Sequence, residues 1–141
     1  MPPKKNGKPK PKFLVKENLK IMKNLFYYVI VAGGRDFNNY ALLKEKLDNL
    51  LSNKQHVVII SGCAKGADTL GERYGRENNR VVAFFPALWN QNGNMAGFIR
   101  NEKMAEIADA CVCFWNGKST GTKHMIETAK AKNLALRIIK Y

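Results

Sequence analysis

Short, continuously apolar runs alternate with amphipathic stretches along most of this chain. The apolar runs have the length and composition of buried strands and lie at 26–32, 56–60, 81–85, 110–115 and 134–139. The stretches between them space apolar side chains as a helix does and lie at 39–53, 66–78, 98–108 and 121–132. In the first stretch, Leu43, Leu47 and Leu50 form one apolar stripe, and Asn38 or Asn39 is suited to cap the helix. The pattern predicts five strands that alternate with four helices.

Strict alternation of strands and helices is typical of α/β proteins, in which helices cover both faces of a parallel sheet. Because crossovers between parallel strands are right-handed, the expected fold is a Rossmann-like three-layer sandwich with a mainly parallel five-stranded sheet. Residues 87–97 are expected to form a long polar connection. In such sheets, ligands bind beyond the carboxyl ends of the strands.

Three loops rich in small residues follow the first, second and fourth predicted strands. They are GGRDF at 33–37, SGCAKGAD at 61–68 and GKSTGT at 117–122. A glycine-rich turn from a strand into a helix presents free backbone N–H groups at the positive helix end, where phosphate binds readily. Neither a Walker A motif nor the GxGxxG fingerprint is present. The three loops are expected to build one concave site, because all of them lie at the same edge of the sheet.

Several side chains of the first two loops carry chemistry suited to such a site. Arg35 could clamp a phosphate with two N–H donors. Asp36 either caps the following helix, which is the favoured interpretation, or accepts a hydrogen bond from a ribose hydroxyl. Lys65 adds positive charge to the second loop, whose N–H groups are expected to face an anion. Asp68, in the first turn of a helix, either compensates the helix dipole or faces a sugar or a leaving group.

The third loop and the segment before the fourth strand complete the candidate site. Hydroxyl and N–H groups converge at Ser119 and Thr120, which makes this loop the best anion cradle in the chain. Arg100 and Asn101 open a helix after an asparagine-rich segment that could fold over the site as a lid. The candidate ligand-binding residues are Gly33, Gly34, Arg35, Asp36, Ser61, Gly62, Lys65, Gly66, Asp68, Arg100, Asn101, Ser119, Thr120, Gly121 and Thr122.

Catalytic residues are harder to identify from the sequence. Asp68 and Glu127 are the candidates, although nothing in the sequence pairs either of them with a second catalytic group. Trp89, Trp115 and Phe85 could stack on a base, but aromatic side chains also commonly close apolar strand ends. No metal site and no cofactor are expected.

Charge changes the picture mainly at the N-terminus. Residues 1–24 hold eight lysines against one glutamate, so this segment carries +7 of the net charge of +13. With its four prolines, the segment is expected to be a disordered basic arm, followed by one globular domain at 25–141. The arm either aids solubility or holds polyanions such as nucleic acid by charge alone.

Composition also limits the compartment. No apolar run is long enough to span a membrane, and the N-terminus lacks the apolar segment of a secretory signal. Three cysteines without zinc-site spacing are expected to stay reduced, so the predicted location is cytoplasmic, with no membrane partner. A homo-oligomer whose second copy completes the pocket is an open alternative.

Taken together, these motifs resemble the SLOG superfamily, and most closely its YspA/YpsA-related branch. The resembling parts are VAGGRDF, ISGCAKGAD, the stretch with Pro86 and Trp89, GFIRNEKMAEIADACVCFW and GKSTGTKHMIETA, within residues 26–141. The resemblance implies a Rossmann-like fold that binds nucleotides or nucleotide-derived ligands at the glycine-rich loops. Residues 1–25 lie outside it.

Two relatives within that superfamily sharpen the alternatives. Lonely Guy enzymes hydrolyse the N-glycosidic bond of nucleoside monophosphates with a loop similar to PGGxGTxxE, and Met125 stands here in place of its catalytic glutamate. DprA proteins, which have a similar SGxAxG loop and Arg–Asn segment, bind single-stranded DNA. The sequence therefore predicts sensing or sequestration of an ADP-ribose-like or cyclic-nucleotide-like ligand. The alternatives are N-glycosidic bond hydrolysis and DprA-like binding of single-stranded nucleic acid.

Overall fold

The computed structural model describes residue 21 and residues 24–141, so the predicted basic arm lies almost entirely outside the described residues. The strands are β1 (Tyr27–Gly33), β2 (Val57–Ser61), β3 (Val81–Phe84), β4 (Ala110–Trp115) and β5 (Ala135–Lys140). The helices are α1 (Tyr40–Leu50), α2 (Ala67–Glu77), α3 (Trp89–Asn92), α4 (Ala96–Ile107) and α5 (Thr120–Ala131), and a 3-10 turn spans Gly93–Met95. No helix within this described part is long and apolar enough to cross a membrane.

The five strands form one parallel sheet in the order β3-β2-β1-β4-β5. The predicted α/β fold, a Rossmann-like sandwich around a parallel five-stranded sheet, is thereby confirmed. The chain first builds outward from β1 to β3 and then returns to place β4 on the other side of β1. The strand order therefore reverses between β1 and β4, and a crevice forms at the carboxyl ends of these two strands.

Alternating side chains of the central strands form a core on each face of the sheet. Val29 and Val31 point to the face covered by α1 and α2, where Phe114 and Leu43 are fully buried. Ile30 points to the opposite face, which α4 and α5 cover. The buried side chains that these two helices contribute are Met104, Ala105, Met125, Ile126 and Ala129. Strands buried on both faces read as continuous apolar runs, which explains why the sequence pattern located them.

The connection between β3 and α4 differs from the predicted irregular segment. It contains α3 and the 3-10 turn, and α4 begins at Ala96, two residues before the predicted start. Ala96 is buried and anchors the first turn of α4, and Gly97 is tolerated there because it lies at the helix end. Three apolar side chains of this segment remain largely exposed, Leu88 at 42%, Trp89 at 53% and Met95 at 54%.

Helix α2 packs unusually close to the sheet through two glycines. A Cβ atom at Gly71 would lie 2.8 Å from Val31 Cβ, and one at Gly75 would lie 2.5 Å from a methyl group of Val82. Val31 is fully buried in a central strand and has no room to move. The two glycines therefore set the distance between α2 and the strands below it.

We predict that Gly71→Ala lowers the free energy of unfolding. Alanine normally stabilises a helix interior by about 1 kcal/mol relative to glycine, but overpacking a rigid core costs about 1–3 kcal/mol. Urea denaturation of the ligand-free protein measures the net change in the free energy of unfolding. Gly121→Ala is the matched control, because a Cβ atom there meets no atom within 4 Å and should leave stability unchanged or raised. A Gly71→Ala variant that is about 1 kcal/mol more stable than wild type, as at an uncrowded helix position, would contradict the close packing of α2.

Candidate functional site

A cavity of about 580 Å³ lies at the carboxyl ends of β1 and β4, where the strand order reverses. The predicted site residues that line it are Gly33, Gly34, Arg35, Asp36, Asp68, Arg100, Asn101, Ser119, Thr120, Gly121 and Thr122. Ser61, Gly62, Lys65 and Gly66 do not line it. The lining residues that sequence reasoning did not select as ligand contacts are Ala32, Ala64, Trp89, Asn94, Gly97, Phe98, Met104, Asn116 and Met125.

The first loop is locked against the start of α2. The Gly34 carbonyl accepts hydrogen bonds from Phe37 N and from Ala67 N, both at 3.2 Å, and Gly34 N donates to Phe114 O at 3.0 Å. Gly66 lies directly beneath this contact with φ at +77°, and a Cβ atom there would overlap the Gly34 carbonyl oxygen. Only glycine satisfies both the backbone conformation and the close approach.

Asp36 does not cap the following helix, contrary to the favoured interpretation of the sequence. Asn39 caps α1 instead, since its side chain accepts a hydrogen bond from Leu42 N at 3.0 Å. Asp36 Oδ1 accepts a hydrogen bond from the Tyr141 hydroxyl at 2.5 Å.

In the second loop, two backbone N–H groups donate hydrogen bonds to side chains of the same segment. Ala64 N donates to Asp68 Oδ2 at 3.2 Å, and Cys63 N donates to Ser61 Oγ at 3.0 Å. Ser61 is fully buried, and its hydroxyl also donates to Glu72 Oε2 at 2.6 Å. The carboxylate held by this loop is therefore one from the chain itself, and a ligand role for residues 61–66 stays a prediction.

Asp68 is buried at the cavity wall near the partly buried Arg100, although these two side chains form no ion pair within 4 Å. Burial raises the pKa of Asp68 to about 6, opposed by the Ala64 N–H group and by the Arg100 guanidinium. Arg100 in turn donates to the Gly62 carbonyl and, through Nε, to Asn101 Oδ1 at 3.0 Å. Arg100 is thus fixed between the second loop and α4, and Asp68 offsets its charge.

Asn101 joins α4 to the first turn of α5. Its side chain is buried, and Nδ2 lies 3.4 Å from Gly121 O and 3.1 Å from His124 Nδ1. The His124 ring stacks on Phe98, with ring centroids 4.1 Å apart. The Arg–Asn pair that the sequence singled out therefore positions the third loop as well as lining the cavity.

The third loop leaves N–H groups free at the start of α5. Ser119 caps this helix by accepting from Thr122 N at 3.3 Å, and Asn116 Oδ1 accepts from Ser119 N at 2.9 Å. Within residues 24–141, the N–H groups of Thr120 and Gly121 donate no hydrogen bond. Both residues lie in the cavity wall at the N-terminus of the 12-residue helix α5. The positive end of a helix dipole stabilises an anion.

Asn116 was missed although the sequence carries a signal for it. An asparagine two or three residues before a helix cap forms an Asx turn, and its side chain then accepts from the backbone ahead of it. Asn116 does this for both Lys118 N and Ser119 N. It shapes the third loop from inside the cavity wall.

Of the three aromatic side chains considered for base stacking, only Trp89 lines the cavity. The Trp115 indole N–H donates to Ser119 O at 3.1 Å, so this ring braces the third loop from behind. Phe85 packs against the core on the α4 side of the sheet. Phe98, which the sequence did not suggest, lines the cavity together with Trp89.

The two catalytic candidates are placed differently by the fold. Glu127 is exposed on α5 and lies outside the cavity lining. Asp68 lines the cavity, and Asp36 is the other carboxylate among the described residues that does so. Met125, at the position where Lonely Guy enzymes carry glutamate, is 1% exposed and forms an apolar floor with Met104.

Comparison with known proteins gives a consistent family. The model of the YspA, cpYpsA-related SLOG family matches residues 27–91. The Gene 61 protein of Mycobacterium phage D29 is 30% identical over 109 residues, which are 72% of this chain and 87% of that protein.

Two solved structures share the fold. DNA processing protein A from Streptococcus pneumoniae matches with a TM-score of 0.62 and 19% identity, over 83% of this chain and 51% of its own. DNA processing protein A from Helicobacter pylori, solved to describe its single-stranded DNA binding mode, matches with a TM-score of 0.56 and 15% identity, over 84% and 67%. This chain spans about half the length of the S. pneumoniae protein. At these sequence identities the similarity shows a common fold alone.

The buried carboxyl group of Asp68 predicts a specific pH dependence of stability. Its pKa is about 6 in the folded protein, against about 3.9 in an unfolded chain, so the folded state holds the extra proton between these values. The free energy of unfolding should therefore fall as pH rises from 4 to 7, by about 2–3 kcal/mol from this group. Denaturant unfolding of wild type and Asp68→Asn across this range measures the difference.

The control for this experiment is Glu106→Gln, which alters an exposed carboxyl group on α4. Its stability should track wild type at every pH. A wild type and Asp68→Asn pair whose stability difference is constant between pH 4 and 7 would show that Asp68 titrates normally.

Proposed function

This chain belongs to the YspA, cpYpsA-related SLOG family, and on that premise we propose that its cavity binds a nucleotide or a nucleotide-derived ligand through a phosphate group. The role that fits is sensing or sequestration of an ADP-ribose-like or cyclic-nucleotide-like molecule. The observation that carries the proposal is the pair of unpartnered N–H groups of Thr120 and Gly121 in the cavity wall.

Charge in the cavity supports a phosphate. Arg35 lines the cavity, and within the described residues it forms no ion pair. Arg100 already donates to the Gly62 carbonyl and to Asn101 Oδ1, so Arg35 is the lining arginine whose donors are available. A guanidinium group can bind two phosphate oxygens at once.

The cavity lining also suits a base. Trp89 and Phe98 supply aromatic surface, and Asn94 supplies an amide that can both donate and accept. A volume of about 580 Å³ is of the size that small-molecule sites have, about 300–1,000 Å³. Phosphate donors and aromatic surface in one cavity match the two chemically different parts of a nucleotide.

Hydrolysis of an N-glycosidic bond is the second candidate, and Asp68 is the observation in its favour. It is a carboxyl group in the cavity with its pKa raised to about 6, as suits a general acid or base. Against it, Asp68 Oδ2 is engaged by Ala64 N, and Met125 supplies no carboxylate beside it. Binding without cleavage therefore remains the leading proposal.

The first experiment is a thermal-shift screen of the full chain, with mass spectrometry of the recovered ligands. The panel contains mononucleotides, ADP-ribose, NAD, cyclic dinucleotides and short single-stranded DNA. A ligand at about 100 times its Kd stabilises the fold by about 2.7 kcal/mol, which is a clear rise in Tm. Intact recovered ligand supports binding alone, and free base with sugar phosphate supports the hydrolase.

DNA in the same panel tests the remaining alternative. Single-stranded DNA held by the lysine-rich segment 1–24 should bind with an affinity that falls steeply with salt. Binding of DNA with no response to any small ligand would favour that alternative, and no response to the whole panel would contradict the proposed function.

Arg35→Ala should weaken the binding of a phosphate-bearing ligand by about 10–100-fold, because a charge-assisted hydrogen bond is lost from the phosphate end. Isothermal titration with the ligand from the screen gives the two Kd values. Arg76→Ala is the matched control, since it removes an exposed arginine from the far end of α2. Equal weakening by both variants would mean that only net charge matters.

Trp89→Ala should weaken the binding of AMP about tenfold and leave ribose 5-phosphate unaffected. Stacking of a base on an aromatic ring contributes about 1–3 kcal/mol, and ribose 5-phosphate has no base to stack. Titration of both compounds into wild type and variant separates the two effects. A similar loss of affinity for both compounds would mean that Trp89 maintains the shape of the cavity wall and does not recognise the base.

A further inference from the structure

Tyr141 lies over the first loop and is held there from two directions. Its N–H group donates to Trp115 O at 3.2 Å, which ties it to the end of β4. Its ring packs against Phe37 with centroids 4.9 Å apart, and Phe37 in turn stacks on the buried Phe114 at 4.6 Å. The position of the Tyr141 ring is therefore set by the core.

The Tyr141 hydroxyl meets the cavity rim at Asp36. It donates to Asp36 Oδ1 at 2.5 Å, and burial together with this hydrogen bond raises the pKa of Tyr141 to about 12. The hydroxyl also lies against Gly34, where any side chain would overlap it. Tyr141 thus remains a protonated donor at neutral pH and fixes the orientation of the Asp36 carboxylate.

The chemistry of Asp36 conflicts with a phosphate and needs a different partner. An ionised carboxylate only accepts hydrogen bonds, and it repels a phosphate group. Within residues 24–141, Asp36 Oδ2 accepts no hydrogen bond, although Asp36 lines the cavity. A ligand group that fits must donate, and the vicinal hydroxyls of a ribose are such donors next to a phosphate.

We infer that Asp36, oriented by the Tyr141 hydroxyl, binds the ribose hydroxyls of the ligand, so that the cavity selects ribonucleotides over 2′-deoxyribonucleotides. The inference rests on the proposed function and adds the sugar to it. Tyr141 is a positioning residue here, because it contacts Asp36 and not the ligand. Selection for the 2′-hydroxyl would also distinguish a small ribonucleotide ligand from DNA, which lacks this group.

The test measures Kd by titration for pairs that differ only in the 2′-hydroxyl. The pairs are AMP, GMP, CMP and UMP with their 2′-deoxy counterparts, and ribose 5-phosphate with 2-deoxyribose 5-phosphate. Wild type should bind the ribose member of a pair about tenfold or more tightly, because a hydrogen bond to a charged group is lost in the other. The sugar phosphate pair contains no base, so it excludes a base amino group as the donor.

Tyr141→Phe and Asp36→Ala should both bring the ribose-to-deoxyribose ratio close to one by weakening the ribose member. Tyr40→Phe is the matched control. It removes a hydrogen bond of the same kind, from a tyrosine hydroxyl to the exposed Glu77 carboxylate at 2.8 Å, on the surface between α1 and α2. Its ratio should equal that of wild type.

Each other outcome overturns a different statement. A wild-type ratio near one, for a pair that binds, overturns the inference and leaves the proposed function intact. Tyr141→Phe with an unchanged ratio overturns the positioning role, as does an equal loss for both members of a pair. Failure of every pair to bind overturns the inference, and the proposed function falls with it only if the thermal-shift panel also gives no response.

Discussion

The arrangement of the cavity depends on one close contact, the approach of the Gly34 carbonyl to the start of α2. The carbonyl accepts from Ala67 N, and Gly66 leaves room for it. This contact brings the first and second loops together and occupies the first N–H group of α2 with an atom of the chain itself. At the start of α5, the N–H groups of Thr120 and Gly121 donate no hydrogen bond within the described residues, and both residues line the cavity.

Two loops of similar composition consequently do different things. At the start of α2, the Gly34 carbonyl accepts from Ala67 N, and Asp68 accepts from Ala64 N in the loop ahead of the helix. At α5, Ser119 caps only part of the first turn, and Asn116 holds the preceding loop in shape. Asp68 is buried near Arg100, but burial raises its pKa, so ionisation of this carboxyl group lowers stability and does not hold the wall together.

The sequence was sufficient for the fold and for most of the cavity lining, and physical reasons explain where it was not. Apolar periodicity locates strands that are buried on both faces, and parallel topology then places their carboxyl ends together. Periodicity carries no information about which of two neighbouring polar residues caps a helix, as Asp36 and Asn39 show. Nor does it say which tryptophan faces the cavity: Trp115 donates to Ser119 O behind the third loop, whereas Trp89 lines the cavity. The contact of Tyr141 with Asp36 joins residues 105 positions apart and exists only once β5 has joined the sheet.

The wall formed by α3 and the 3-10 turn differs from the rest of the cavity. Three of its apolar side chains are about half exposed, whereas the central strands β1, β2 and β4 are mostly buried. Segments with few buried apolar contacts open at low free energy, independently of the rest of a protein. Entry and exit of a ligand can therefore proceed by local opening of this wall while the sheet stays intact. The residence time of a ligand and the global stability of the fold are then separate properties. Substitutions at 88–95 can change the residence time without lowering the global stability.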